Sequence, residues 1–184
     1  MRIQLSPHYF LLSGLAIPAG QQDFAIHDPY ILTQAIDAVG VGAHAHYLAR
    51  HLKMTATLPG GETKTLLLIK DWDFAWQDRY YFKDYVALPK GTKLDAEIHW
   101  DNSAENPHNP LDPPIHVSWG DESKDEMGSL SLIVVPHLES DLAVLQNNIA
   151  TRARQLARER MQADHVLARK AIRIRSEQKS GSIR

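Results

Sequence analysis

The sequence contains no cysteine, and this absence removes several classes of site at once. Disulfide bridges, zinc ribbons, thiol catalysis and iron–sulfur clusters all need cysteine sulfur. The sequence also carries no nucleophile elbow, phosphate-binding loop or dinucleotide fingerprint. Any metal site in this chain must therefore use histidine, methionine or carboxylate side chains.

Long apolar runs are absent as well, and a helix that spans a bilayer needs about 20 predominantly apolar residues. No transmembrane segment is therefore expected. Apolar residues make up 43% of the 184 positions and charged residues 23%. This composition is typical of a soluble globular protein, and the length suits one domain with a short appendage.

The N-terminal stretch has the outline of a secretory signal, because Arg2 precedes the apolar run YFLLSGLAI. The basic region is a single residue, however, and Ser6, Pro7 and His8 interrupt the stretch before that run. The pattern favours a first β-strand of the domain over a cleaved signal peptide. The sequence leaves the cellular compartment open.

Charge is distributed unevenly along the chain. Residues 1–149 contain 10 Lys and Arg against 19 Asp and Glu, whereas residues 150–184 contain 10 against 3. The chain therefore has an acidic body and a basic C-terminal segment. Because the acidic body would repel phosphate, nucleic-acid binding is not expected.

Short strand-like runs occupy residues 20–136 and are separated by frequent turn signals. The runs LKMTAT and TKTLLLIK flank Pro59-Gly60-Gly61 and predict a hairpin. The Asn- and Pro-rich segment 101–114, which carries His108 and is soon followed by His116, predicts a rigid loop. Many short strands without intervening helices predict a mainly β fold, an antiparallel β-sandwich or jelly roll, over residues 1–137.

A helical period begins near Ser140 and Asp141, which are both favourable at a helix start. Apolar residues then recur at helical spacing: Leu142, Leu145, Ile149, Leu156, Ala163, Leu167 and Ile174. We predict a basic amphipathic helix over residues 138–176, followed by a flexible tail over residues 177–184. The helix is expected to dock on the acidic body or on a partner, which includes a second copy of the chain.

The stretch GAHAHYLARHLKM concentrates three histidines. On a strand, His44 and His46 project from the same face because side chains alternate, so the two imidazoles can hold one transition metal. His51 has the opposite parity, and Met54 lies roughly 26 Å beyond His46 on a straight strand. The pair therefore supplies two of the three ligands of a metal site, and the third ligand must come from elsewhere in the chain.

The remaining histidines and one aromatic segment have simpler interpretations. Residues 71–78, DWDFAWQD, alternate acidic and aromatic side chains, which predicts a half-buried strand. Ordinary surface or loop roles are expected for the other histidines: His8, His27, His99, His108, His116, His137 and His165.

Four segments occur in the order GAHAHYL, DWDFAWQD, DNSAENPHNP and DEMGSL. Together they resemble the C-terminal half of the copper type II, ascorbate-dependent monooxygenases, the family of peptidylglycine α-hydroxylating monooxygenase and dopamine β-monooxygenase. The resemblance is strongest to bacterial-type members and covers roughly residues 3–136. It implies an antiparallel β-sandwich that holds one copper through two histidines and a distant methionine. It also implies dioxygen activation for C–H hydroxylation, with electrons from ascorbate or a partner protein.

Carried over to this chain, the resemblance makes His44, His46 and Met127 the metal ligands and the catalytic site. Two imidazoles suit either copper oxidation state, while a thioether favours Cu(I). The alternation in MGSLSLIVV supports this role, because it places Met127 on the same face as Ser129 and Ser131. Core-forming residues occupy the opposite face.

The chain departs from the peptide-hydroxylating members at three substrate-facing positions. Gly42 stands where those members have a carboxylate-binding arginine, and Ser129 and Ser131 replace an asparagine and a tyrosine. A glycine-extended peptide is therefore not the expected substrate, and the organic substrate is unknown. Gly128 replaces the cysteine that follows the methionine in those members.

The family's N-terminal domain, which binds an electron-transfer copper, has no counterpart in the 184 residues. A second domain or partner would then supply electrons, and the chain would be exported in a bacterium if it is part of a longer precursor. Two alternatives remain open. One is a non-catalytic copper-binding or electron-transfer module, and the other is an interaction domain that uses the basic helix.

Overall fold

Ten β-strands form this protein, as seen in a computed structural model that describes residues 3–5, 15–156 and 158. Every strand pairing among these residues is antiparallel. The strands are β1 Ile3–Leu5, β2 Ala16–Ile17, β3 Phe24–Ile31, β4 Ile36–Ala45, β5 Ala49–Thr57, β6 Thr63–Ile69, β7 Arg79–Leu88, β8 Lys93–Trp100, β9 Val117–Ser118 and β10 Gly128–Pro136. The predicted mainly β fold is confirmed.

The strands lie in two four-stranded sheets, with the orders β1-β10-β4-β7 and β3-β8-β5-β6, and β2 pairs with β9 in a small third sheet. Their pairings are nested: β5 with β6 is innermost, then β4 with β7, β3 with β8, and β1 with β10. Successive pairs alternate between the two large sheets. This is the double-sheet arrangement of a jelly roll.

The core lies between the two large sheets. Ile98 and Trp100 of β8 and Leu52 of β5 are fully buried, as are Leu130 and its neighbour Leu132 on β10. These side chains belong to one apolar cluster with contributions from both sheets. Buried positions along β8 alternate strictly with exposed or half-buried ones, which shows how a period of two creates a single core-facing side.

Two of the predicted connections are confirmed. Pro59-Gly60-Gly61 joins β5 to β6, and Gly61 has a φ of 89°, a left-handed conformation that glycine adopts without strain. In the loop after β8, Asn102 is fully buried and its Nδ2 donates to the carbonyl oxygens of Pro18 and Ile115 at 3.0 and 2.8 Å. These bonds tie the loop to its surroundings, and the predicted rigidity of the loop stays a prediction.

The predicted strand over residues 71–78 is wrong, because this segment forms a loop between β6 and β7. The Asp73 side chain accepts a hydrogen bond from the backbone N–H of Ala75, and the Asp73 carbonyl accepts one from Trp76. Aspartate favours such local turns over a sheet ladder. The alternation of aromatic and acidic residues therefore reflects a turn with one buried aromatic, Trp72, and one exposed aromatic, Trp76.

Helix α1 spans residues 141–156, with residue 158 also helical, so it begins beside the predicted start residues Ser140 and Asp141 and not at 138, the lower bound of the predicted range. Leu145 is fully buried in the core and Ile149 packs against it. This part of the helix therefore docks on the body of the same chain. The rest of the predicted helix and the predicted tail lie outside the described residues. Among the described residues, no helix has the length and apolar content that crossing a membrane requires.

One ion pair joins α1 to the acidic body. The Arg152 guanidinium pairs with the carboxylate of Asp28, donates to the carbonyl oxygen of Pro29 at 2.8 Å and lies 5.6 Å from the centre of the Tyr30 ring. Asp28 is only 3% exposed. Burial raises the pKa of Asp28 above its ordinary value, while the Arg152 charge lowers it.

Replacing Arg152 with methionine should destabilise the protein by roughly 2–3 kcal/mol at pH 7, because it leaves a buried carboxylate without its counter-charge. Protonation removes that charge, and the pKa of Asp28 is already raised. The penalty should therefore be fully present above the pKa of Asp28 in the folded variant, shrink as the pH falls below that pKa, and vanish below the pKa of Asp28 in the unfolded chain. Urea unfolding over a range of pH measures this. Arg154→Met is the matched control, because the Arg154 side chain is exposed and donates to the carbonyl of Ala150 within its own helix. An equal effect of the two variants at pH 7 would contradict the account.

Candidate metal centre

The end of β4 and the start of β10 lie side by side and carry most of the candidate residues. In the antiparallel register, His44 is opposite Ser129 and Gly42 is opposite Ser131. Met127 immediately precedes β10, and His46 immediately follows β4. The register therefore brings the predicted ligands to one corner of this sheet, although His44 and Met127 are 83 residues apart in the chain.

The three predicted ligands lie close together. His44 Nε2 is 3.4 Å from the Sδ of Met127, and the two imidazole rings have centres 5.3 Å apart at 85°. Donor atoms that share one four-coordinate ion lie about 3.4–3.6 Å apart when the metal bonds are about 2.0–2.3 Å. The His44–Met127 distance is within this range. His44 and Met127 are half-buried and His46 is 5% exposed, so the corner is partly open to solvent.

Hydrogen bonds fix the orientation of both rings. The Nδ1 of His44 lies 2.5 Å from Gln77 Oε1, and the Nδ1 of His46 lies 3.0 Å from the backbone oxygen of Asp125. The Gln77 amide is itself oriented, because its Nε2 donates to the carbonyl of Phe74. Since both partners are acceptors, each Nδ1 carries the proton and each Nε2 keeps its lone pair. This is the tautomer that a metal-binding histidine needs.

Glu126 connects two of the three ligands, His46 and Met127, through the backbone. Its Oε1 accepts the N–H of His46 at 2.6 Å and that of Met127 at 3.2 Å, and its Oε2 accepts the N–H of Leu48 at 3.0 Å. Glu126 is fully buried. Burial raises the pKa of Glu126 to about 7, and the three N–H donors act in the opposite direction. This residue ties the turn after β4 to the start of β10, and sequence reasoning assigned it no role.

The loop over residues 71–78 closes one side of the site. Trp72 donates from its indole nitrogen to the carbonyl of His46 at 3.0 Å, and the Phe74 ring lies 5.8 Å from the His46 ring. Tyr47 stacks against Phe74 with ring centres 4.4 Å apart. Together with Gln77, this loop supplies an aromatic wall and one orienting hydrogen bond. The turn conformation of this loop, which the strand prediction missed, directs these groups toward the histidines.

An open pocket of about 430 Å³ adjoins His44. Its lining residues are Gly42, Ala43, His44, Gln77, Asp78, Arg79, Ser129 and Ser131. The three predicted substrate-facing residues therefore all border one space beside a predicted ligand. The pocket also contains an arginine that sequence reasoning did not place there. Arg79 is opposite Gly42 in the register of β4 with β7, and a side chain at position 42 would meet Arg79 Cγ at 3.5 Å.

His51 and Met54 are outside this site, as predicted, but for a different reason. The chain does not continue as a straight strand after His46. It turns at residues 46–48 and enters β5, which belongs to the other large sheet. Met54 is buried in the core there, while His51 lies 5.3 Å from His99, ring centre to ring centre.

Gly128, directly after Met127, has a steric reason to be glycine. A Cβ at this position would lie 2.5 Å from Cζ2 of Trp100 and 3.1 Å from Cδ1 of Ile98. The side chain of any other residue would therefore displace the largest group of the core. The close approach of Trp100 therefore requires glycine at position 128.

Comparisons with known proteins leave the site unassigned. No protein-family model and no curated protein matches the chain. Among solved structures, a chain of the "Structure of infectious bursal disease virus Gx strain" is similar to it at a TM-score of 0.32 and 8% sequence identity. The match covers 76% of this chain and 34% of that one. A likeness at this level carries no functional argument, so the assignment depends on the geometry described above.

Proposed function

We propose that this chain is a copper-binding domain of a monooxygenase, with His44, His46 and Met127 as the ligands of one copper. The observation that supports this most directly is the meeting of His44 Nε2 and Met127 Sδ at 3.4 Å at the end of β4. The core is formed on the other side of β10, where Leu130 and Leu132 are buried.

The donor set favours copper over other common metals. A thioether is a soft ligand that favours Cu(I), and imidazole also binds copper, whereas zinc sites use histidine, cysteine and carboxylates, and magnesium prefers oxygen. Three protein ligands also leave a coordination position for a reactant, which a catalytic site needs and a closed structural site lacks. Bound copper would supply the electron transfer that activates dioxygen.

In the proposed hydroxylation, one oxygen atom of dioxygen enters a C–H bond and the other leaves as water. Two electrons and two protons come from ascorbate or from a partner protein. The residues of this chain have supporting parts: Gln77 and the Asp125 carbonyl hold the imidazoles in one tautomer, and Glu126 fixes the turn that carries His46. The Phe74 and Tyr47 rings shield one side of the corner from water.

The pocket next to His44 is the proposed substrate position. Ser129 and Ser131 offer small hydroxyl groups, and Gly42 leaves room between them and Arg79. A small, polar organic molecule fits this lining better than an apolar one. Position 42 carries no arginine, but Arg79 on β7 brings a positive charge into the pocket.

Copper titration of the full chain tests this proposal. Under anaerobic conditions we expect the protein to take up one Cu(I) per chain, and His44→Ala to lower that affinity by at least about 100-fold, since even outer partners of metal ligands contribute 10- to 100-fold. His116→Ala, at an exposed position on the segment before β9, is the matched control and should have no effect. Failure to take up Cu(I), or equal affinities of the two variants, would refute the copper site.

Catalysis is tested separately by oxygen uptake in the presence of ascorbate. We expect reductant-dependent oxygen consumption that His44→Ala abolishes, once a suitable electron donor and substrate are present. If copper binds and cycles between oxidation states without oxygen uptake, the second candidate is favoured: a copper-binding or electron-transfer module. The resemblance to only one half of the family's two-copper enzymes motivates that candidate.

An interaction domain is the third possibility, and the docking of α1 bears on it. The first turns of the helix already contact the body through Leu145 and Arg152. The described part of α1 keeps an exposed face, on which Val144 is 41% exposed, and the basic residues beyond 158 are the other candidate contact for a partner or a second copy. Removing residues 159–184 should abolish self-association if those residues mediate it, as measured by light scattering.

A further inference from the structure

The outer face of the second large sheet carries a cluster of histidines and carboxylates from three neighbouring strands. In the register of β3 with β8, His27 is opposite Glu97, and in that of β5 with β8, His51 is opposite His99. Sequence separation hides this arrangement, because the residues belong to strands that begin at positions 24, 49 and 93. The cluster lies on the other sheet from His44 and Met127.

The spacing of the cluster suits a metal ion. One ligand atom each from His27, Glu97 and His99 can be chosen so that all three lie within 4.8 Å of one another. The rings of His27 and His99 have centres 6.4 Å apart, and those of His51 and His99 are 5.3 Å apart. His51 is therefore near enough to serve as a fourth donor after a rotamer change.

His99 is oriented as a metal ligand would be. Its Nδ1 lies 2.6 Å from the Asp23 carboxylate, and its Nε2 lies 2.6 Å from Oε1 of Glu97. A carboxylate on one ring nitrogen is the usual outer partner of a metal-binding histidine, because it directs the lone pair of the other nitrogen toward the metal. An ion between His99 Nε2 and Glu97 would replace the proton that they share, and would lengthen this contact by less than about 1 Å.

Two features keep the cluster accessible and limit its affinity. The side chains of His27, Glu97 and His99 are 55%, 23% and 24% exposed, so an ion can reach all three from solvent. Lys53 Nζ lies 3.9 Å from Glu97 Oε2 and competes with a cation for this carboxylate. Lys53 therefore weakens metal binding without being part of the site.

We propose that His27, Glu97 and His99 form a second metal site, which binds a divalent transition ion of the Zn²⁺ type with His51 as an additional donor. Two histidines and a glutamate are an established Zn²⁺ ligand set. The set contains no sulfur, so it differs in metal preference from the corner at Met127. This site does not depend on the proposed monooxygenase function.

An ion at this site would link the edge strand β3 to β8, and through His51 to β5. Binding to the folded state alone stabilises it in proportion to the logarithm of ligand concentration. At a Zn²⁺ concentration near a hundred times the dissociation constant, we expect the melting temperature to rise by about 5–10 °C.

The test is Zn²⁺ titration by calorimetry of the full chain carrying His44→Ala and Met127→Leu, so that the first site cannot contribute. We expect one Zn²⁺ per chain, with nitrogen and oxygen but no sulfur neighbours in X-ray absorption. Adding His27→Ala or Glu97→Gln should weaken binding by at least about tenfold, a scale set by the effect of altering even outer partners of a metal. Adding Lys53→Met should strengthen binding several-fold.

His137→Ala is the matched control, because His137 also pairs with an aspartate but has no further metal donor from the described residues beside it. It should leave Zn²⁺ binding unchanged. The side chains of His27, Lys53 and Glu97 are on the outer face of the sheet, and circular dichroism without metal checks that each variant folds. Absence of saturable Zn²⁺ uptake, or uptake that His27→Ala and Glu97→Gln leave unchanged, would overturn this second site and would not affect the first.

Discussion

Glu126→Ala should destabilise the metal-free protein by roughly 3 kcal/mol or more, because it leaves buried backbone N–H groups without acceptors at about 1–3 kcal/mol each. Those groups belong to His46, Leu48 and Met127. The turn after β4 and the start of β10 would lose their shared anchor. The same change should abolish Cu(I) binding, since two of the three proposed ligands lose their fixed backbone positions.

Glu126→Gln separates the two effects. Its amide oxygen can still accept the N–H groups of His46 and Met127, but its amide nitrogen would face the N–H of Leu48, donor against donor. We expect a smaller loss of stability than in Glu126→Ala, and a copper affinity between those of that variant and the unsubstituted protein. Urea unfolding and Cu(I) titration measure the two quantities. If Glu126→Ala unfolds at the same urea concentration as the unsubstituted protein, Glu126 does not have this anchoring role.

Met127→Leu should lower Cu(I) affinity by at least about 100-fold while changing Cu(II) affinity much less, because a thioether binds Cu(I) preferentially. Leucine keeps the volume and apolar character of methionine, so the folded state should lose less than about 1.5 kcal/mol. A competition titration with chelators specific for each oxidation state measures both affinities.

Met54→Leu is the matched control for this prediction. Met54 is 2% exposed in the core and lies on β5, in the other large sheet from β4 and β10, so its replacement should leave both copper affinities unchanged. Equal Cu(I) affinities of Met127→Leu and Met54→Leu would remove Met127 from the site. The two histidines alone would then have to account for any copper that binds.

The parts of the site that follow from local pattern could be predicted from the sequence. Strand alternation places His44 and His46 on one side, and the face that Met127 shares with Ser129 and Ser131 is visible in MGSLSL. Alternation and turn residues likewise predict a mainly β sandwich. The resemblance to the copper monooxygenases connects His44 with Met127 across 83 residues, a connection that no local pattern contains.

The groups that orient the ligands could not be predicted in this way. Gln77 reaches His44 from a loop, and the alternation of DWDFAWQD favours a strand over that loop. The role of Glu126 depends on three backbone N–H groups that only the folded turn brings together. Because such contacts depend on how distant segments pack, residue identity and spacing do not reveal them.

The register of the strand pairs is the second feature that could not be predicted from the sequence. The histidines His27, His51 and His99 look unrelated in the chain and become neighbours only because β3, β8 and β5 pair in one particular alignment. The same applies to Arg79, which register places opposite Gly42. The pocket therefore contains an arginine even though position 42 does not supply it.

X-ray absorption on the reduced, copper-loaded protein tests the central claim most directly. The account predicts one sulfur neighbour of copper at about 2.3 Å and nitrogen neighbours near 2.0 Å, with the sulfur signal lost in Met127→Leu and kept in Met54→Leu. A copper environment without sulfur in the unsubstituted protein, or a sulfur signal that survives Met127→Leu, would contradict the assignment of His44, His46 and Met127 as one site.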